Sequence, residues 1–192
     1  MLVTIWEKRR FRDVVVAVQK SGFAWALDRD NGDIVWFKKA GPGSFEGGGS
    51  WGAATDGRSR IYTNIVNGNR LPFRLAPTNQ TTTAGGWVAL DANTGEILWT
   101  TANPSNEMAP GPVTLANGIL FATSPAPSGP IYAIHAATGK IIWSFNTGAT
   151  IYGGASVTHG CVYIGHGYSV SVLKSFHPTW TNGKYLFVFC IR

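Results

Sequence analysis

At 192 residues, with 44% hydrophobic and 14% charged residues, the chain has the composition of a folded domain with a sizeable core and not that of a disordered tail. Its formal net charge of +6 raises nucleic acid or an acidic surface as a partner. Apart from Lys8, Arg9, Arg10 and Arg12 the basic residues are scattered, so no nucleic-acid footprint is expected. No apolar run approaches the length that crosses a bilayer as a helix, and no signal peptide is legible before Glu7.

In chain order, the first unit is expected to place strands at 2–5, 14–18, 23–27 and 34–37. It contains Ala26-Leu27-Asp28-Arg29-Asp30-Asn31-Gly32-Asp33-Ile34-Val35-Trp36, an apolar strand end, a polar turn, a glycine and an apolar strand closed by tryptophan. This pattern predicts a hairpin, because Gly32 falls where the turn needs a residue at positive φ. The same element recurs from Ala89 to Trp99, with Gly95, and from Ala133 to Trp143, with Gly139. Asp28 and Asp91 hold equivalent positions, replaced by His135 in the third copy. Their recurrence points to turn capping rather than catalysis.

The second unit is expected to use strands 51–55, 60–65, 87–90 and 97–100, with a long loop over 66–86 that is rich in Asn, Thr, Pro and Gly. The third uses 112–115, 119–123, 131–134 and 141–145. The fourth has candidates at 155–158, 161–165 and 186–190, and no copy of the glycine-to-tryptophan element follows. The interval from Trp99 to Trp143 (143 − 99) is 44 residues, the length of one four-stranded propeller blade. The expected fold is therefore all-β: a single partial β-propeller of about three and a half four-stranded antiparallel blades, half of a seven- or eight-bladed ring. Its units run over about 1–40, 48–103, 107–147 and, incomplete, 153–192. Such a half-ring leaves blade faces and a strand edge uncovered, so it is read either as a piece of a longer protein or as a subunit that self-associates through its blade edges.

Cys161 and Cys190 fall at facing ends of two expected antiparallel strands. A cross-strand disulfide and a pair of buried free thiols are both compatible with that placement. Asn79-Gln80-Thr81 is a glycosylation sequon. Together the two features point towards an extracellular or secretory location. His159 and His166 flank the strand with Cys161 but match no short metal-site spacing. His177, Pro178 and Trp180 are expected in a loop crossing the incomplete blade.

The repeated Ala-x-Asp-x-x-x-Gly-x-x-x-Trp element resembles the repeat of pyrroloquinoline-quinone (PQQ) propellers. The stretches Val18-Gln19-Lys20-Ser21-Gly22-Phe23-Ala24-Trp25-Ala26-Leu27-Asp28-Arg29 and Gly47-Gly48-Gly49-Ser50-Trp51-Gly52 look most like the C-terminal half of polyvinyl-alcohol-dehydrogenase-like proteins of plants and bacteria. In the alcohol-oxidising members a planar quinone lies on a tryptophan near the ring axis, a calcium ion polarises it, and an aspartate is the general base. The resemblance implies the C-terminal portion of a PQQ-dependent-type alcohol or polyol oxidoreductase, inactive as this chain alone, acting on a small alcohol or polyol when complete. Lys20 matches the lysine that such proteins direct at the quinone oxygens. Ser50 and Trp51 match an Asn-Trp pair beside the cofactor, with serine replacing the amide. The calcium ligands and the general base would lie upstream of Met1, so no catalytic or metal-binding residue is assigned in this chain. The alternative is a non-catalytic binding or scaffold propeller, since outer-membrane assembly scaffolds use the same repeat. Beside these roles stand plainer ones: a solvated turn for Lys20, blade packing for Trp51, and an inter-blade turn for the glycine run 41–49.

Overall fold

The computed structural model describes residues 1–49, 51–167 and 173–191. The chain forms β1 (Leu2–Glu7), β2 (Arg10–Val18), β3 (Phe23–Asp28) and β4 (Ile34–Lys39), which pair antiparallel in sequence order as the first sheet. Next come β5 (Ala54–Thr55) and β6 (Arg60–Ile65), a small hairpin of β7 (Phe73–Arg74) and β8 (Thr81–Thr82), then β9 (Gly86–Asp91) and β10 (Ile97–Ala102). The second sheet is β5-β6-β9-β10, with the β7–β8 hairpin standing apart within the long loop. The third sheet comprises β11 (Thr114–Ala116), β12 (Ile119–Thr123), β13 (Pro130–His135) and β14 (Ile141–Asn146). Among the described residues the fourth has three strands: β15 (Ser156–Thr158), β16 (Cys161–Gly165) and β17 (Leu186–Cys190). This is an all-β partial propeller of three complete blades and one incomplete one.

Turn chemistry explains the tight connections between first and second strands. Lys8 and Arg9 (φ 48° and 66°), Asn117 and Gly118 (49° and 76°) and His159 and Gly160 (48° and 73°) each place two successive residues in the left-handed region. That is the two-residue hairpin whose twist matches the flanking strands. His159 is thus a turn residue, and its Nδ1 lies 2.9 Å from the Thr158 hydroxyl.

Each inter-blade boundary has its own apolar core. Ile5, Val14, Val16, Ile61, Ile65, Val88 and Leu90 are buried between the first and second sheets. Tyr62, Trp87, Leu120 and Ile134 fill the second boundary. Ile131, Ile151 and Ile164, with Phe187 and Phe189, fill the third.

The recurring tryptophan locks these boundaries. Trp36, 8% exposed, donates its indole N–H to the Ala92 carbonyl at 2.9 Å. It lies so close to Gly95 that a Cβ there would sit 2.6 Å from its ring. Trp99, 3% exposed, repeats the arrangement one blade on, donating to Ala136 O at 2.9 Å and covering Gly139 at the same 2.6 Å. The repeat glycines therefore serve twice: they reach φ of 75° and 72°, and they make room for the preceding blade's tryptophan.

The turn carboxylates act as the recurrence suggested. Asp28 Oδ1 accepts the N–H groups of Asp30 and Asn31 at 2.8 and 3.0 Å, and Asp91 Oδ1 accepts those of Asn93 and Thr94 at the same two distances. His135 makes a substitute contact, its Nδ1 lying 2.9 Å from the Thr138 hydroxyl. Asp28 also accepts from Arg12 Nε at 2.6 Å, and this guanidinium, with the two backbone N–H donors, holds its carboxyl below the usual range.

Two expectations need correction. The strand expected over 51–55 shrinks to Ala54–Thr55 because Trp51 has φ 72° and Gly52 φ 144°, conformations outside the pleated ladder. The 66–86 loop is not wholly irregular, since it carries the β7–β8 hairpin. Buried Asn67 organises its root, donating from Nδ2 to Leu71 O, Thr83 O and Ala84 O and accepting the Leu71 N–H.

The cysteines are joined. Cys161 and Cys190 are directly opposite in the β16–β17 register and form a disulfide spanning 29 residues of chain. Reducing it is expected to destabilise the fourth sheet by about 3–4 kcal/mol from released loop entropy. Urea unfolding with and without reductant, followed by hydrogen exchange across 186–190, checks this. An unchanged midpoint and unchanged exchange would reject it.

Candidate functional site

In a four-stranded antiparallel meander, the connections from second to third strand and from the fourth strand to the next blade emerge at the same end. All loops of these two kinds therefore gather on one face of the propeller. Lys20 belongs to the first kind of loop, in residues 19–22, and Trp51 to the second, in residues 40–53.

These two loops interlock. Ala40 N donates to Gly22 O at 2.8 Å, Gly49 N to Gln19 O at 3.1 Å and Ser44 N to Lys20 O at 3.3 Å. A Cβ on Gly48 would lie 2.3 Å from Gly22 N. The glycine run thus lets one backbone lie directly on another, which resolves its role in favour of the inter-blade turn. Gln19 is pinned from its other side by the Trp25 indole N–H at 2.9 Å.

Upon this base Lys20 Nζ donates to Phe45 O at 3.0 Å and lies 5.6 Å from the centre of the Phe45 ring, a cation–π contact that leaves further ammonium protons without an acceptor among the described residues. Trp51 is 76% exposed and does not pack between blades. A bulky residue at φ 72° with its ring in solvent is an outlier of the kind that clusters at ligand sites. Ser50, the third residue singled out by sequence, lies outside the described residues.

The structure adds a pair that sequence reasoning missed. Glu46 Oε1 lies 2.5 Å from His177 Nε2, across 131 residues of chain, and both side chains are mostly buried. His177 belongs to the segment leading into β17, which runs back across the loop face as a strap instead of covering only its own blade. Its ring stacks on Trp180 at 4.2 Å, and Trp180 is buried against Val66 and Met108. Thr150 and Thr181 exchange hydrogen bonds at 2.9 and 3.0 Å, and Thr181 Oγ1 donates to Pro127 O. No local pattern announces a pairing between residues so far apart. The only sequence signal was a histidine and a tryptophan three residues apart in an otherwise polar loop.

The residues present can be tested against a planar anionic quinone. The exposed indole of Trp51 offers a stacking face, and Lys20, on the interlocked loop, offers a cation with open donors. Each is of a chemical type suited to such a group. A metal is a different matter. Among the described residues no group of three or more His, Cys, Asp or Glu side chains converges, and the carboxylate of Glu46 is engaged by His177. His166 is buried against Tyr185 and Phe187, and among the described residues neither ring nitrogen has a hydrogen-bond partner. It contributes no ligand set.

Blades locked by tryptophan on glycine, with their second-to-third and inter-blade loops gathered on one face, define a repeat β-propeller. Residues 84–174 match the PQQ_2 family, described as outer membrane protein assembly factor BamB. The chain is similar in sequence to polyvinylalcohol dehydrogenases: that of a Pseudomonas species at 29% identity and that of Sphingopyxis sp. strain 113P3 at 30%. Each match takes in 82% of this chain but 27% of the relative, so the chain spans about a quarter of the length of these proteins. In fold it resembles a europium-containing methanol dehydrogenase, with TM-score 0.67 at 14% identity over 99% of this chain and 47% of that one.

Proposed function

We propose that this chain is one sector of a quinoprotein-type alcohol or polyol dehydrogenase propeller, in which Lys20 and Trp51 hold one edge of PQQ. The observation that carries this reading is the backbone interlocking of residues 19–22 with 40–49, which seats Lys20 on the loop that leads to the exposed Trp51. When bound, the quinone supplies a two-electron acceptor for an alcohol carbon. The Trp51 ring is suited to stack under a flat cofactor. The Lys20 ammonium is suited to stabilise negative charge on a quinone oxygen, and the Phe45 carbonyl fixes where that ammonium sits. No residue of this chain is assigned here to remove the substrate proton, and calcium ligands would come from outside it. Sequence similarity to polyvinylalcohol dehydrogenases supports the reading. The formed disulfide supports an oxidising compartment, extracellular or in the secretory pathway.

One observation favours a second reading. The strap tied by Glu46 and His177 already covers the Val66–Met108 part of the loop face, as suits a non-catalytic scaffold propeller.

Titrating the protein with PQQ, alone and with calcium, distinguishes the two. Under the first reading tryptophan fluorescence is quenched saturably. Lys20→Ala then weakens binding about tenfold or more, as expected for losing a hydrogen bond from a charged donor. Trp51→Ala removes most of the quenching. An absence of saturable quenching, or equal affinity in Lys20→Ala, supports the scaffold instead.

A further inference from the structure

The turn 44–47 that carries Phe45 is fastened at its root and bare at its tip. At the root Ser44 N donates to Lys20 O at 3.3 Å, and the Ser44 hydroxyl accepts the N–H groups of Gly47 and Gly68 at 3.1 and 3.2 Å. At the tip the Phe45 ring is 83% exposed, so packing does not fix its backbone. Apart from the Lys20 contact, the hydrogen bond that reaches the tip among the described residues is the one between Glu46 Oε1 and His177 Nε2. The far end of that bond is rigid. His177 stacks on Trp180 with the rings 12° from parallel, its N–H donates to Leu173 O at 2.7 Å, and its carbonyl accepts the Trp180 N–H at 3.1 Å. Trp180 is 4% exposed and packs with Val66 and Met108, while Val66 N donates to Gly48 O at 2.8 Å, which returns the anchorage of the strap to the same loop. A Cβ on Gly68 would lie 2.4 Å from Glu46 Oε2, so the carboxylate is lodged between the Gly68 backbone and the imidazole.

We propose that His177 is a positioning residue for Lys20, acting through Glu46 and the peptide unit between Phe45 and Glu46. A peptide unit is planar, so the Phe45 carbonyl oxygen and the Glu46 Cα share one plane, and fixing Glu46 fixes the direction of that carbonyl. The carbonyl in turn accepts from Lys20 Nζ at 3.0 Å. The lysine stem is flexible, and an acceptor held in a fixed direction selects one of its conformations. The strap thereby sets the place of an ammonium 157 residues earlier in the chain (177 − 20). The functional meaning, a cation held ready for a quinone oxygen, rests on the role proposed for Lys20 above; the geometry stands without it.

Acetylation footprinting of the whole disulfide-bonded protein, with N-hydroxysuccinimidyl acetate and mass spectrometry, tests this without any cofactor. His177→Ala is expected to raise the reaction rate at Lys20 by about tenfold, the equivalent of losing one hydrogen bond from a charged donor, with the rates at Lys38, Lys39 and Lys140 unchanged. Glu46→Ala breaks the same contact without touching the Trp180 stack and is expected to do the same. His177→Gln keeps an N–H for Glu46 and is expected to restore most of the protection. A rise at all four lysines together, a Lys20 rate unchanged in both alanine variants, or a His177→Gln protein that behaves as His177→Ala overturns the proposal. PQQ titration then separates it from the cofactor reading. Where Lys20 binds PQQ, His177→Ala weakens binding about as much as Lys20→Ala, and the double variant is no weaker than either; wild-type affinity in His177→Ala alone overturns the proposal. Selective exposure of Lys20 in a protein that binds no PQQ upholds the positioning and rejects the cofactor.

Discussion

Truncating Trp99 to alanine is expected to lower the unfolding free energy by about 3–5 kcal/mol, the range for deleting a buried large aromatic. The side chain fills the boundary between the second and third blades, contacts Tyr62 at 6.1 Å between ring centres, and satisfies the Ala136 carbonyl. Its loss leaves a cavity and a carbonyl whose partner is gone, and the neighbouring backbone cannot collapse into the space because Ala136 is anchored to Gly118 O. Trp143→Ala makes the control within the same protein. That ring is 39% exposed and touches Phe145 and Phe189 without a docking glycine, so its removal is expected to cost less than half as much. Guanidinium unfolding of the two variants decides the matter. Equal losses would show that the repeat tryptophan stabilises its own blade and not the boundary.

Gly139→Ala is expected to be nearly as damaging although it adds a single methyl group. At φ 72° an L-residue costs about 1–2 kcal/mol, and forcing an atom into a filled space costs about 1–3 kcal/mol more. The added Cβ would meet Trp99 at 2.6 Å and Thr101 Oγ1 at 2.8 Å. Gly32→Ala separates the two terms. Gly32 has the same backbone conformation, φ 78°, with nothing within 4 Å of the added Cβ, so only the conformational cost is expected there. Combining Gly139→Ala with Trp99→Ala should remove the part of the steric cost due to the indole, leaving the Thr101 contact. The double variant is then more stable than the sum of the single losses predicts, by about 1–3 kcal/mol in a double-mutant cycle. Strict additivity would mean that the glycine is required for its backbone angle alone.

These two predictions rest on a contact that was half legible in the chain. Gly32, Gly95 and Gly139 stand out as turn residues because positive φ is a local demand. That two of them also make room for the indole of the preceding blade depends on residues 59 (95 − 36) and 40 (139 − 99) positions away, and only packing shows it. The same division runs through the candidate site. Lys20 and Trp51 carry a recognisable motif, yet Trp51 turned out to face solvent, because its position falls in a left-handed loop and not in the strand that apolar content suggested. Glu46 and His177 were invisible as a pair, since each is unremarkable in its own stretch and the strap that joins them has no periodic pattern.

By itself the sequence determined the all-β class, the blade period and the hairpin turns with their capping aspartates. All of these arise from preferences expressed within a few residues of one another. The tertiary structure alone decided which glycines carry a tryptophan, how the glycine run seats one loop on another beneath Lys20, and that the strap closes on Glu46. Those outcomes depend on which surfaces meet once the sheets have stacked, and a chain's local preferences do not encode the distance between residues that folding brings together.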